Sequence, residues 1–463
     1  MIRNANTETE DIGACSTHAT LDLAIGNRSP ERQQCPRGDL LHVDADRIGP
    51  SPWAGVAVFP AILLLILGLW SAAATINAFR PFRQTLLLFP SMFWSWLVIG
   101  LPIQHVVAQM VVTGLLIWWG ALDHSLGWIG LVFLVASWIG SLVLLLKTRR
   151  SREAVDSALA THGIPRSGKP VPTWRTVVAA PFKGRGVEKI SNIPYRTVAG
   201  RVLKLDVYRG PGEETNRPSL LYVHGGGWTV GDKREQGLPL LHHLARNGWV
   251  CFSANYRLSP GATFPDHLID VKAALVWVRE HGAEYGAETS FLAVSGGSAG
   301  GHLAALVGLT EDDARYQPGF ESADTSVQAV VPIYGVYDTT NRLGVQSDQY
   351  VPLLMEPLVI KAFLEDEPEK FHEASPLDRV HPDVPPFLVI QGDRDTLAPV
   401  EEARAFVDRL TEASESRVIY MEFPGAQHIF DLFYSNQSAQ MVEGVLAFLN
   451  AEYNRSEDSS SGG

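Results

Sequence analysis

The stretch FLAVSGGSAGG, residues 291–301, carries the strongest structural signal in the chain. FLAVS is short and apolar, as expected of a strand that is covered on both faces of a sheet. The residues after it surround Ser298 in the pattern G-x-S-x-G, and a helix-forming run follows. Gly296 and Gly300 leave room for a serine on a sharp strand-to-helix turn. An anion-binding glycine turn is the alternative, whereas a P-loop is excluded because no Lys-Ser/Thr pair follows.

The segments on both sides of this turn alternate between strand-like and helix-like patterns. YRTVAGRVLKLDVYRG, residues 195–210, alternates with period two and predicts a hairpin. Further strands are predicted at 219–223, 249–256, 291–295, 327–335, 386–392 and 416–423, and helices at 264–281, from 299, and at 437–452. Strands that alternate with helices favour a mostly parallel sheet. Residues 191–452 are therefore predicted to form an α/β domain, followed by a disordered tail at 453–463.

A serine hydroxyl is a poor nucleophile unless a base takes its proton. His428, in PGAQHIF, follows the predicted strand 416–423 and precedes the last helix. Asp395, in QGDRDTLAP, follows the strand 386–392 directly. The order Ser298, Asp395, His428, with each residue after a strand, matches the α/β-hydrolase arrangement and predicts a catalytic triad. Asp393 is the second choice for the carboxylate and Asp338 the third.

A second glycine cluster, VHGGGW at residues 223–228, follows the predicted strand 219–223. Attack of a serine on an ester carbonyl creates an oxyanion, which two or more backbone N–H groups can stabilise. Gly225, Gly226 and Ala299 are predicted to supply these groups. His224 is interpreted as a loop anchor that bonds to the backbone, and Trp228 as a residue that packs under the loop or lines the substrate pocket.

These motifs together resemble the HGGG-type carboxylesterases and lipases of the α/β-hydrolase superfamily, a group that includes hormone-sensitive-lipase-like and feruloyl-esterase-like enzymes. The motifs are HGGGW, NYRLSP, GGSAGG, GDRDTL and the late His428. The resemblance implies that Ser298 is the nucleophile, that Asp395 and His428 complete the triad, and that no metal or cofactor is needed. Gly297 departs from the Asp that the hormone-sensitive-lipase-like group commonly carries before its nucleophile. Lid segments are expected at 340–372 and 151–190.

The N-terminal half has a different composition. Residues 1–52 read as a polar tail, in which Cys15 and Cys35 could pair if this segment is exported. The stretches 52–79, 84–122 and 125–146 lack Asp, Glu, Lys and Arg. About 20 apolar residues cross a bilayer as a helix, so residues 53–147 are predicted to form about three spans. Residues 148–190 are read as a linker or cap.

The flanking charges predict the orientation of these spans. Basic residues follow the first and the last stretch, namely Arg80, Arg83, Lys147, Arg149, Arg150 and Arg152. Positive flanks favour the cytoplasm, so an even number of crossings separates the two clusters. The prediction is an outside N-terminus and a cytoplasmic catalytic domain on an integral membrane protein of the cell membrane. An N-terminal half of this kind joined to the catalytic half resembles actinobacterial membrane-associated lipases and esterases.

Composition narrows the range of functions. The net charge of −12 without a basic stripe argues against nucleic-acid binding, and the histidines and three cysteines show no metal-ligand spacing. A small-molecule or lipid ester is the expected substrate and the bilayer the expected partner, while the oligomeric state is left open. Alternatives are an acyltransferase, an arylformamidase-like amide hydrolase on the same triad, and a non-enzymatic membrane scaffold or sensor. The intact motifs argue against the last alternative.

Overall fold

The central feature of the fold is one eight-stranded sheet, seen in a computed structural model that describes residues 54–178, 186–212 and 214–461. The strands are β1 (Glu188–Val198), β2 (Arg201–Arg209), β3 (Arg217–Val223), β4 (Val250–Ala254), β5 (Ala287–Gly297), β6 (Ala329–Ile333), β7 (Phe387–Gly392) and β8 (Val418–Phe423). Their order in the sheet is β1-β2-β4-β3-β5-β6-β7-β8. The β1–β2 and β2–β4 pairs are antiparallel, and all later pairs are parallel. The predicted α/β-hydrolase fold with a mostly parallel sheet is confirmed.

Helices precede the sheet and then alternate with its strands. They are α1 (Ala54–Phe79), α2 (Leu88–Gly100), α3 (Pro102–Trp118), α4 (Ser125–Thr148), α5 (Arg150–Thr161), α6 (Thr173–Val178), α7 (Leu238–Arg246), α8 (Asp266–His281), α9 (Ala299–Leu309), α10 (Pro368–Ala374), α11 (Val400–Ala413) and α12 (Asn436–Ser461). A π-helical segment, Val351–Ile360, lies between β6 and α10.

Two apolar cores cover the two faces of the sheet. Alternate residues of β3 point to opposite faces, so that Leu221 joins one core with α8, α9 and α11, while Leu220 joins the other with α5, α7 and α12. Both side chains are fully buried. Burial of one such leucine contributes about 1.5–3 kcal/mol. The two cores fix where each strand ends, and the strand ends carry the candidate site.

The segment expected to be a linker or lid, 151–190, is partly built into this fold. Val155 and Leu159 of α5 are buried in the core under α12. Arg166 forms ion pairs with Asp156 at 2.5 Å and with Glu443 of α12 at 2.7 Å. This part of the segment is therefore a layer of the α/β core on the flank of β8, and it does not cover the serine turn.

The expectation of a disordered tail at 453–463 is wrong for the part of it that the structure describes. Helix α12 continues to Ser461. Tyr453 packs edge-on against Phe291, with ring centroids 5.2 Å apart, and its hydroxyl donates to Glu288 at 2.7 Å. An i,i+3 ion pair between Glu452 and Arg455 supports the same turn. Sequence polarity alone did not reveal these tertiary contacts.

The apolar half contains helices long enough to cross a membrane. Two of them qualify by length and composition, within Val58–Phe79 and Ser125–Thr161, and a third crossing is reached if the bent pair α2 and α3 counts as one span. That pair bends by 93° at Leu101, the position at which Gly100 and Pro102 suggest a break. The number of three spans stays a prediction. The polar tail 1–52, with Cys15 and Cys35, lies outside the described residues.

Helices α1 and α4 pack at very short range through small residues. A Cβ atom on Gly68 would lie 2.3 Å from the carbonyl oxygen of Gly130. Polar side chains also bond between helices: the hydroxyls of Thr75 in α1 and Ser137 in α4 are 2.7 Å apart, and Gln109 of α3 donates to Ser71 of α1 at 2.7 Å. Small-residue contacts and interhelical hydrogen bonds are typical of helices that associate in lipid, where the hydrophobic effect does not hold them together.

Candidate active site

Ser298 occupies a strained turn between β5 and α9. Its backbone angles are φ 58° and ψ −122°, a region that costs about 1–3 kcal/mol for a residue with a side chain. The turn needs glycine on both sides of the serine. A Cβ atom on Gly296 would lie 2.4 Å from the carbonyl oxygen of Gly300, and one on Gly300 would lie 2.1 Å from that of Val223. The G-x-S-x-G spacing is therefore a steric requirement of this turn.

The structure brings the hydroxyl of Ser298 together with the side chains of His428 and Asp395. The Nε2 atom of His428 lies 2.9 Å from Ser298 Oγ, and its Nδ1 atom lies 2.7 Å from Asp395 Oδ2. His428 is 3% exposed and Asp395 is 1% exposed. Because a carboxylate only accepts, Nδ1 carries the proton, which leaves Nε2 free to accept the proton of the serine hydroxyl.

Asp395 is held by the loop that follows β7. Its Oδ1 atom accepts from the amides of Leu397 and Ala398 at 2.9 and 2.8 Å, and Gln391 donates to Oδ2 at 3.2 Å. Together with His428, four donors surround this carboxylate and fix its orientation.

The two other carboxylates considered from the sequence lie elsewhere. Asp393 accepts from the amide of Gly425 at 2.6 Å, and burial raises its pKa. Asp338 bonds to Thr340 and forms an ion pair with Arg342 at 3.2 Å. Neither carboxylate bonds to a histidine among the described residues, so each supports the loop that carries it.

The glycine loop 224–228 runs against the serine turn. A Cβ atom on Gly225 would lie 2.9 Å from Ser298 Cβ. The amide of Gly225, however, donates to Oε1 of Gln236 at 2.8 Å, so this predicted oxyanion donor is already engaged. Gly226 has φ +114° and Ala299 begins α9, and neither amide has a hydrogen-bond acceptor within the described part of the chain. These two predicted donors remain available.

His224 acts as the loop anchor that the sequence suggested. Its Nδ1 atom bonds to the carbonyl oxygen of Gly225 at 2.8 Å, and its ring stacks on Tyr256 with centroids 4.6 Å apart. Tyr256 in turn donates to the carbonyl of His224 at 3.1 Å. Burial lowers the pKa of His224, so the imidazole is a neutral structural element.

Trp228 packs beneath the loop and not in a substrate pocket, since its side chain is only 2% exposed. The indole N–H donates to Nδ1 of His302 at 3.3 Å, and Nε2 of His302 lies 2.7 Å from the carbonyl oxygen of Ala374. The indole can only donate, so His302 is protonated at Nε2 and bridges the loop to the end of α10. Burial lowers the pKa of His302 to about 4, which keeps the bridge neutral. No local sequence pattern indicates this role.

A second group that sequence reasoning missed lies behind His428. The Tyr334 ring is 4.8 Å from the imidazole of His428, and its hydroxyl donates to the fully buried Asp431. Burial raises the pKa of Asp431. A Cβ atom on Gly297 would lie 2.8 Å from the Tyr334 hydroxyl. The glycine before the nucleophile thus makes room for Tyr334, which explains the departure from the aspartate common at this position.

The segment expected to be a lid, 340–372, packs against the loop between β4 and α8. Val359 accepts from the amide of Phe264 at 2.8 Å, and Lys361 donates to the carbonyl of Pro260 at 2.5 Å. Met355 is fully buried in the core that includes Trp228.

Within the described ranges, no three His, Cys, Asp or Glu side chains are grouped closely enough to hold a metal ion.

Comparison with known proteins identifies the family. The sequence pattern of the BD-FAE family matches residues 205–410. The chain is 39% identical over 417 residues to "Probable carboxylic ester hydrolase LipM" of Mycobacterium tuberculosis, an alignment that spans 86% of this chain and 95% of the relative. The chain belongs to the α/β-hydrolase carboxylesterases. This carboxylesterase is also 44% identical over 273 residues to Esterase LipQ of Mycobacterium tuberculosis, covering 58% of this chain and 64% of the relative.

A solved structure supports the fold of this carboxylesterase. A truncated form of a carbohydrate esterase from gut microbiota superimposes with a TM-score of 0.50 at 22% identity. The superposition covers 59% of this chain and 98% of that chain. Nearly all of the solved domain is therefore matched by part of this chain, which supports the α/β-hydrolase fold.

Proposed function

We propose that this carboxylesterase is an integral membrane serine esterase, with Ser298 as nucleophile, His428 as general base and acid, and Asp395 as the carboxylate that orients the histidine. The observation that carries the proposal is the row of hydrogen bonds from Ser298 through His428 to Asp395, at 2.9 and 2.7 Å. The strained serine turn and the adjacent glycine loop support it. The substrate is a carboxylic ester with a lipid or other acyl part.

The first step is attack of Ser298 on the ester carbonyl. His428 takes the hydroxyl proton at Nε2 as the Oγ–carbon bond forms, and Asp395 stabilises the resulting imidazolium. The negative charge on the carbonyl oxygen is held by the amides of Gly226 and Ala299. We leave Gly225 out of this oxyanion hole because its amide donates to Gln236.

The second step releases both products. His428 returns the proton to the leaving alcohol as the ester carbon–oxygen bond breaks and the acyl-enzyme remains. A water molecule then loses a proton to His428 and attacks the acyl carbon. Collapse of this second tetrahedral intermediate frees the acid and restores the Ser298 hydroxyl. The chemistry uses only groups of this chain and a water molecule.

Membrane anchoring is the second part of the proposal. Helices α1 and α4 are apolar and long enough to cross a bilayer, and the small-residue packing between them suits lipid. With α3 as the third crossing, the loop that carries Arg83 lies on the side of the catalytic domain. Consistent with this orientation, Arg83 and Glu401 form an ion pair at 3.6 Å.

The catalytic proposal is tested with the full chain in detergent micelles and p-nitrophenyl butyrate. We expect Ser298→Ala to lower kcat by at least about 10⁴-fold with an unchanged melting transition, because the residual binding groups cannot replace the nucleophile. Asp338→Asn, which alters a carboxylate outside the proposed triad, serves as the matched control and is expected to retain most activity. Activity of Ser298→Ala near that of the parent would contradict the proposal.

The membrane proposal is tested by extraction. Carbonate at high pH should leave the protein in the membrane fraction, whereas detergent should release it. Release by carbonate alone would contradict membrane spans and would leave the proposed triad unaffected.

A further inference from the structure

The apolar helices contact the α/β domain at the edge of the sheet that carries Ser298. Trp96 of α2 stacks on Phe433 with ring centroids 4.8 Å apart, and Asn436 donates to the carbonyl of Thr148 at the end of α4 at 2.8 Å. Phe433 follows His428 in the loop after β8, and Asn436 is the first residue of α12. The Arg83–Glu401 ion pair reaches the first turn of α11, just after the loop of Asp395.

Helices α1 and α3 each have one end near the α/β domain. Helix α1 ends near it, because Asn77 donates to Ser91 of α2, and α3 begins near it, because Gln104 donates to the carbonyl of Val177 in α6. The opposite ends of α1 and α3 meet each other, as the Phe59 and Trp119 rings show at 5.9 Å. If these helices cross a bilayer, the bilayer surface lies against the carboxyl ends of the strands.

The exposed apolar side chains of the α/β domain lie on this same side. Within the described residues from 186 to 461, the large apolar side chains with high exposure are Val202 (46%), Val230 (63%), Leu343 (42%), Leu353 (60%) and Phe363 (66%). Val230 lies just after the glycine loop, and the last three lie in the segment between β6 and β7. Val202 lies near the start of β2, which runs antiparallel to β4. Because Leu205 pairs with Ala254, the last residue of β4, Val202 lies beyond the carboxyl end of β4.

The opposite edge of the sheet differs. The segments that lead into the strands expose small residues such as Ala283, before β5, but no large apolar side chain within the same described residues. Singly exposed apolar residues are ordinary on soluble proteins, but here the large ones all lie on the side that the apolar helices contact. Exposed basic residues of the α4–α5 junction, such as Lys147 and Arg150, lie next to this side and suit anionic head groups.

We infer that the rim formed by Val230, Leu353 and Phe363 rests in the interfacial layer of the membrane, and that the site takes its ester directly from the bilayer. This inference rests on the proposed function and specifies its substrate class. The substrates are esters that partition into lipid, with a long acyl chain or an apolar alcohol part. Such an ester reaches Ser298 without crossing water, while a short soluble ester reaches it from the aqueous phase.

The test compares two esters with the full chain reconstituted in phosphatidylethanolamine and phosphatidylglycerol vesicles. The soluble ester is p-nitrophenyl butyrate, and the bilayer-resident ester is p-nitrophenyl palmitate. The double variant Leu353→Glu/Phe363→Glu places two charges on the rim and is expected to lose about 10-fold in palmitate turnover, since carboxylates resist burial in lipid. Butyrate turnover should change less than about twofold. Ala283→Glu, at the opposite edge, is the matched control and should leave both rates unchanged.

Other results with the two esters would overturn the rim, the substrate class or the proposed function separately. Parental palmitate turnover in the double variant, or an equal loss on both esters, would overturn the rim proposal. Hydrolysis of butyrate without palmitate by the parent chain would overturn the substrate class alone. Hydrolysis of neither ester by the parent chain would overturn the proposed function instead.

A second measurement does not depend on turnover. Phe363→Cys and Ala283→Cys, each made with Cys15→Ser and Cys35→Ser, are labelled with an environment-sensitive fluorophore in the same vesicles. Bromine-labelled lipid should quench the probe at 363 and leave the probe at 283 unchanged. Equal quenching at both positions, or quenching at neither, would contradict the proposed contact.

Discussion

The edge of the sheet where the parallel strands begin differs from the edge where they end. At the edge where strands begin, long side chains satisfy backbone carbonyls: Arg279 donates to Thr289 and Ser326, and Lys272 bonds to Thr310. At the edge where strands end, positive φ angles lie at the proposed site itself, with Ser298 at φ 58° and Gly226 at φ +114°. The first edge stabilises the fold through these side chains, whereas the second holds the proposed site, with backbone strain at Ser298.

The largest expected difference in kcat is between two carboxylates of the same loop, at the edge where strands end. Asp395→Asn is expected to lower kcat by about 10³–10⁴-fold, because an amide cannot hold the productive tautomer of His428 or stabilise its cation. Asp393→Asn, two residues earlier, removes a carboxylate that only supports Gly425 and should cost less than about fivefold. Steady-state kinetics on p-nitrophenyl butyrate check both. Equal losses in the two variants would refute the proposed distinction between these carboxylates.

The next largest difference in kcat is expected between two glycine substitutions, one at each edge of the sheet. A Cβ atom on Gly226 would lie 2.0 Å from the carbonyl oxygen of Val230, so Gly226→Ala must displace the loop. We expect kcat to fall about 10²-fold, as for loss of one oxyanion donor. Gly248, before β4, has φ +92° and open space around it. Gly248→Ala should therefore lower the melting temperature slightly and leave kcat unchanged, and a similar kcat loss in both would contradict this account.

The buried tyrosines near His428 should differ in their effect on stability. Tyr334→Phe leaves the buried Asp431 without its hydroxyl donor, a loss that typically costs about 1–3 kcal/mol. Tyr222 is also fully buried, but its hydroxyl has no hydrogen-bond partner in the described part of the chain. Tyr222→Phe should therefore be nearly neutral. Chemical denaturation of both variants measures the difference, and a larger loss for Tyr222→Phe would show that the Asp431 contact is not what matters.

The smallest expected effect concerns pH and a histidine away from the proposed triad. Burial, and then the neighbouring Arg246, lowers the pKa of His243 to about 4, whereas the unfolded value is about 6.5. Between these values the unfolded chain binds more protons, so this contribution to stability is lost as pH falls from about 6.5 to 4.

The comparison between His243→Gln and the parent isolates this contribution. The melting temperature of the variant, relative to the parent, should rise by a few degrees between pH 7.5 and 5, which corresponds to about 2 kcal/mol. The difference between variant and parent removes the pH dependence that other groups contribute to both proteins. Glu402, whose pKa burial raises to about 8, is one such group. A difference that is constant with pH, or that falls towards acid, would contradict the assigned direction.

Much of the carboxyl edge could be predicted from sequence because its chemistry depends on residue types at fixed places. The G-x-S-x-G turn requires glycine on steric grounds, and the strands before Asp395 and His428 are short apolar runs with clear ends. These local signals lead to the side chains that the structure brings together. The mostly parallel character of the sheet followed from the alternation of strands with helices.

Other parts depend on contacts between distant segments and left no local signal. Gln236 engages the amide of Gly225 from eleven residues away, and His302 bridges Trp228 to Ala374. The polar end of α12 looked like a tail because the contact of Tyr453 with Phe291 joins segments far apart in the chain. Such pairings are set by the packed sheet and not by the local pattern.

Reaction of the full chain with a fluorophosphonate, followed by peptide mass spectrometry, tests the central claim most directly. The reagent phosphonylates a serine only where a base and an oxyanion site activate it. We predict one adduct, on the peptide that contains Ser298, and a large loss of labelling rate in His428→Ala. An adduct on another residue, or ester hydrolysis that continues while Ser298 is fully modified, would contradict the assignment of Ser298 as the nucleophile.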